Sequence, residues 1–168
     1  MGYSTYFFGN FKLDKPLKPE HAAYLLKFSA TRRMKRHAQE TATRPDPVRI
    51  AAGLPIGDDG EFFVGAGEMA GQEHSSDVKN YNEPPATQPG LWCQWVPSED
   101  GTAIQWDEGE KFYDYMEWLE YLISKFLQPW GYILNGSVEW KGDESDDLGM
   151  ILVVNNKVTV KQGKVVYE

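Results

Sequence analysis

Four cations stand within five residues: Arg32, Arg33, Lys35 and Arg36. Guanidinium groups suit bidentate contact with phosphate or carboxylate. Arg32, Arg33 and Arg36 are therefore read as the anion-holding part of a ligand site. The same cluster also reads as a basic helix end that complements the macrodipole and faces solvent. Downstream, Asp77, Tyr81 and Asn82 offer a carboxylate, a phenol ring and an amide in one polar stretch, groups able to orient a bound molecule. Leu91-Trp92-Cys93-Gln94-Trp95 adds two indoles, of which Trp92 or Trp95 would stack a planar base, or simply fill a core. These residues together point to a non-enzymatic protein binding a small anionic, nucleotide-like ligand.

Other groups carry less. Val64-Gly65-Ala66-Gly67-Glu68-Met69-Ala70-Gly71 matches G-x-G-x-x-A, the glycine pattern of dinucleotide sites. That pattern works only where a helix follows, and Gln72 to Asp77 has no apolar face to bury, so a plain turn is expected. His21, His37 and His74 have no metal-ligand spacing, and Cys93 has no thiolate-stabilising neighbourhood in sequence. Asp143 to Asp147 concentrates four carboxylates without the spacing of a calcium loop. No cofactor, metal or catalytic constellation is expected. Asp114, Glu117, Glu120 and Tyr121 are expected on the outer face of a second helix. There they would form the alternative site, an acidic module for a basic protein partner or an imitation of nucleic acid.

Charge is unevenly spread. Residues 1–50 hold ten Lys and Arg against four Asp and Glu, whereas 51–168 hold seven against twenty-one. The acidic excess argues against direct binding of nucleic acid or anionic membrane. The 168 residues suit one domain, 41% hydrophobic and 14% aromatic, too rich in core formers to be disordered. No apolar run is long enough to span a membrane, no secretory signal is expected, and one cysteine excludes an internal disulfide. A cytoplasmic setting is the expectation, with the oligomeric state open.

The elements that must hold these groups follow from periodicity and breakers. A strand is expected over 3–13, then a turn through Pro16 and Pro19, then a helix from Glu20 to about Arg36. Residues 37–90 read as one long irregular loop, interrupted by a short strand at Glu61–Val64. Strands follow at Leu91–Val96 and Thr102–Trp106. Asp107 should cap a helix running from about Gly109 to Leu127, whose Phe112, Tyr115, Leu119, Leu122 and Phe126 share a face. Strands are then expected at Tyr132–Trp140, Met150–Val154, Lys157–Val160 and Lys164–Tyr167. The fold class is α+β: an antiparallel sheet with two helices on one face, a split β-α-β-like start, the long loop and a C-terminal β meander, all in one domain of 1–168.

Several blocks together, among them Tyr81-Asn82-Glu83-Pro84-Pro85, Leu91-Trp92-Cys93-Gln94-Trp95 and the run from Gly109 to Ile123 (GEKFYDYMEWLEYLI), span about 25–155. In them the chain resembles a family of small bacterial and phage proteins that brings no activity, cofactor or site residue to transfer. The resemblance implies a bacterial or phage cytoplasmic protein and places the polar loop and the tryptophan strand among its signature blocks. In that setting, sequestering a host signalling nucleotide to modulate host defence is the physiological role expected of the ligand site.

Overall fold

Alternation of Tyr and Phe from Thr5 onward builds the strand on which the rest of the sheet assembles. The computed structural model describes residues 2–67 and 71–167. Its architecture is α+β, with a six-stranded antiparallel sheet, a separate two-stranded sheet and four α-helices. Strands β1 (Thr5–Leu13), β4 (Trp95–Pro97), β5 (Ala103–Trp106), β6 (Leu134–Gly142), β7 (Leu148–Val154) and β8 (Lys157–Gln162) run in the order β4-β5-β1-β6-β7-β8. Two further strands, β2 (Lys35–Arg36) and β3 (Val78–Asn80), pair only with each other. The chain groups into two compact units, one of residues 1–17 with 94–168 and one of residues 18–93.

In the sheet unit, β1 pairs with β6 without slippage from Thr5 opposite Gly142 to Leu13 opposite Leu134. The alternation therefore sends Phe7, Phe11, Val138 and Trp140 to one face, where all four are buried. Helix α4 (Tyr115–Leu122) closes that face. Trp95 packs edge-on against Phe7, Phe11 and Phe112 with ring centroids 5.2–5.6 Å apart, and its indole N–H donates to the Tyr115 carbonyl at 2.8 Å.

The second long helix is shorter at its start than its apolar spacing predicts. Glu108, Lys111 and Asp114 all have left-handed backbone (φ 68, 58 and 57°), which no α-helix accommodates. Residues 109–114 are thus a loop, fastened where Gln94 donates to the Glu110 carbonyl. Asp107 caps no helix; its carboxylate accepts from the Gly109 amide two residues on. At the other end the helix continues as a π-helical segment, Ile123–Leu127. The meander agrees with expectation except at its end, for Lys164–Tyr167 pairs with no strand.

The 18–93 unit departs further from local propensity. Helix α1 (Pro19–Ser29) starts at Pro19 as expected but ends seven residues before Arg36. The Thr31 hydroxyl bonds the Lys27 carbonyl, and the amides of Arg33, Lys35 and His37 then donate to Leu91, Glu83 and Asp77. These remote carbonyls replace helical ones as partners of the 33–37 backbone, of which Lys35–Arg36 is strand, so the arginines are not a helix end. The region read as loop carries two short helices, α2 (Ala38–Thr41) and α3 (Pro47–Ala51), and a 3₁₀ turn at Asp58–Gly60. Glu61–Val64 is a turn rather than a strand, and of 91–96 only the last two residues are in β4.

Candidate functional site

Asp77 is the hub of the 18–93 unit. It is 3% exposed, and its carboxylate accepts from Arg36 Nη1 at 2.7 Å, Thr41 Oγ1 at 2.8 Å and Arg44 Nη1 at 3.1 Å, with a further short bond from Ser75. Three segments converge there: β2 brings Arg36, the α2 turn brings Thr41 and Arg44, and the approach to β3 brings Ser75 and Asp77. Burial opposes ionisation of Asp77. The hydroxyls of Ser75 and Thr41 and the Arg36 charge outweigh it and hold the carboxyl well below the usual range. Arg36 is as buried as its partner; burial lowers its pKa and Asp77 resists that shift. Its guanidinium lies 4.4 Å over the Phe63 ring, and its Nη2 finds no acceptor among the described residues.

Arg44 is the exposed side of this cluster. Its side chain retains 26% exposure and pairs outward with Glu73 at 3.4 Å. It lines an open depression of about 520 Å³ together with Gln39, Glu40, Thr43, Ser75 and Ser76, with Asp77 at its base. Elsewhere in the same unit, Arg32 stacks 4.0 Å over Tyr81, donates to the Tyr81 carbonyl at 3.0 Å and reaches Asn82 Oδ1 at 3.2 Å. The His74 ring lies 5.2 Å from Tyr81, so one aromatic surface is contacted by both a guanidinium and an imidazole.

The expected site residues are thus only partly gathered. Arg32, Tyr81 and Asn82 form one group, and Arg36 with Asp77 forms another. Arg33 is elsewhere: its two amino groups donate to the Phe63 and Glu61 carbonyls at 2.8 and 2.7 Å, and it lies 4.2 Å over Phe28. Trp92 is half-buried in the same unit, whereas Trp95 belongs to the core of the sheet unit. Thr41, Arg44 and Ser75 were not singled out by sequence. Their short polar and cationic side chains in a proline-bounded loop carry no local pattern that marks them as partners of one carboxylate.

The glycine-rich turn has a different occupant from a phosphate. Asp46 accepts from the Gly65 amide at 2.7 Å and the Val64 amide at 3.3 Å, while its other oxygen holds Arg49 at 2.6 Å. A carboxylate of the chain itself fills the backbone donors. The remaining motif positions Glu68, Met69 and Ala70 lie outside the described residues. Glu117 and Glu120 on α4, and Asp114 in the loop just before it, are exposed, and burial together with the neighbouring Glu117 raises the Asp114 pKa. Tyr121 is not on that outer face; it is 5% exposed and packs edge-on against Trp118 and Phe126. Cys93 is buried, and its carbonyl accepts from Ser29.

Among the described residues no three His, Cys, Asp or Glu side chains converge as metal ligands, and no helix is long and apolar enough to cross a membrane. Compared with family models, curated proteins and solved structures, the chain matches none. The chemistry of the site rests on its own geometry.

Proposed function

We propose that the chain is a binding protein without catalytic machinery, whose 18–93 unit receives a small anionic, nucleotide-like ligand in the depression over Asp77. The observation that supports this reading is the lining: the Arg44 guanidinium beside the hydroxyl of Ser76 and those of Thr43 and Ser75, which without ligand donate to the Glu40 carbonyl and to Asp77. Cationic forks and hydroxyl donors are the groups that hold phosphate oxygens. Glu73, with 55% side-chain exposure, is the exchangeable partner of Arg44 and yields its place to the ligand.

Thermal shift and titration calorimetry with adenosine monophosphate and inorganic phosphate test it. At about 1 mM nucleotide, a raised melting temperature is expected, abolished by Arg44→Gln and enlarged by Glu73→Gln, which removes the competing carboxylate. No shift in the native chain at that concentration overturns the reading.

A second reading, docking of a basic protein partner on α4, draws support from the exposed carboxylates of Asp114, Glu117 and Glu120. Capture of such a partner weakens steeply with salt if this holds. Capture indifferent to salt counts against it.

A further inference from the structure

The face of the six-stranded sheet opposite Phe7 and Phe11 carries an unusual set of side chains. On β1, Tyr6 and Phe8, the second and fourth residues of the strand, are 52% and 57% exposed. They are two residues apart on one face, so their Cα atoms are roughly 6.6 Å apart along the strand. Tyr6 is braced edge-on by Trp106 at 6.2 Å. The register extends the surface across neighbouring strands. Phe8 is opposite Glu139, Glu139 opposite Met150, and Met150 opposite Lys161. One row along, Ser137 is opposite Leu152 and Leu152 opposite Thr159.

Cations frame this apolar centre. Lys141 stands opposite Tyr6, Lys12 marks the far end of β1, and Lys157 and Lys161 line the outer strand. All four are exposed, and Glu139 is the one carboxylate that the pairing places among them. The sheet unit as a whole has eight Lys and Arg against fifteen Asp and Glu. Four of its eight cations are therefore gathered on one surface of an acidic unit. At the Lys141 end, the β6–β7 turn carries Asp143, Glu144, Asp146 and Asp147, so the local field is most positive away from that turn, toward Lys12 and Lys157.

We propose that this face is a platform for single-stranded nucleic acid. Exposed rings at alternating positions of a central strand stack unpaired bases, and lysines at the margin neutralise the phosphates that run beside them. An acidic peptide would match the lysines but has no use for two bare rings. A duplex hides its base faces and gains only the charge term. Net charge averages over the whole surface, whereas screening limits an approaching strand to nearby charges, and on this face the strand pairing brings together four lysines and Glu139. All the residues concerned lie in the sheet unit, so the inference stands independently of the depression over Asp77.

The test is fluorescence anisotropy of a labelled oligothymidine titrated with the full chain at low salt. The same titration is run with a duplex and with polyglutamate. Binding of the single strand is expected, with affinity falling as salt rises. The double variant Tyr6→Ser with Phe8→Ser should weaken it at least about tenfold. Lys161→Glu should weaken it well beyond Lys125→Glu, which changes net charge equally off this face. Circular dichroism and melting temperature confirm that the variants are folded, and Arg44→Gln should leave this binding intact. The proposal is overturned by no binding at about 100 µM chain. Equal binding of duplex or polyglutamate, equal loss in Lys161→Glu and Lys125→Glu, or full binding by the ring-deleted variant overturns it as well.

Discussion

The two units solve the same problem with opposite materials. In the sheet unit, aromatic rings meet edge to face around Phe7, Trp95 and Phe112, and the backbone is satisfied by its own strands. In the 18–93 unit, regular structure is scarce, and buried guanidinium groups take over the satisfaction of carbonyls: Arg33 for Phe63 and Glu61, and Arg49 for Leu54. The planar heads of Arg33 and Arg36 lie over Phe28 and Phe63 as rings would. A segment short of strands can still close a core, provided every buried charge has a partner. The vulnerability moves with the material, from lost volume in the first unit to lost charge balance in the second.

The sharpest break is at Asp77. Asp77→Ala leaves Arg36 buried and uncompensated, and chemical denaturation should register about 3–5 kcal/mol of destabilisation. Trp95→Ala in the aromatic core should cost a similar sum, about 3–5 kcal/mol, by a cavity mechanism. The two are told apart by pH. A depressed carboxyl contributes stability that is present above its unfolded value, about 3.9, and is lost as pH falls below that toward the folded value. The native chain and Trp95→Ala should both lose stability steeply below about pH 4, and Asp77→Asn should lose it less steeply. Parallel pH curves for all three would remove Asp77 from its place as hub.

A middle-sized effect belongs to Gly60. Its φ of +73° and the 3.0 Å approach of a built Cβ to the Arg36 Cβ make Gly60→Ala strained, at about 1–3 kcal/mol. A change under half of that, measured by urea midpoint, would show that Arg36 has room to shift. At the small end, Ile50→Ser replaces a side chain 65% exposed and should stay within about 0.5 kcal/mol. A larger loss would mean that the 18–93 unit relies on apolar burial at that surface.

The same contrast governs how much was legible in the sequence. The sheet unit was read nearly element by element because strand alternation and the stripe of Leu119, Leu122 and Phe126 are local signals of burial. Its failures lie at 108–114, where three left-handed residues override a helical pattern, at Tyr121, whose position in an acidic helix suggested solvent, and at Lys164–Tyr167, which is not a strand. In the other unit the apolar spacing runs on through Ala30 and Met34, yet the helix stops, because amides and guanidiniums bond to carbonyls 28 to 58 residues away. Charge ordinarily signals exposure, so buried Arg33 and Arg36 gave no warning of their place. Arg36 and Asp77 were both singled out, but as two contacts to a ligand; the structure makes them each other's first partner.

The Arg36–Asp77 pair also constrains descent. A chain that loses either charge passes through a form with its counterpart stranded in the interior, whereas exchanging both for apolar residues is far milder. Thr41, Arg44 and Ser75 share that carboxylate, so a neutral route must also release three spokes. Lineages carrying this unit are held to keep the pair, or to abandon both members within a single step that drift seldom takes.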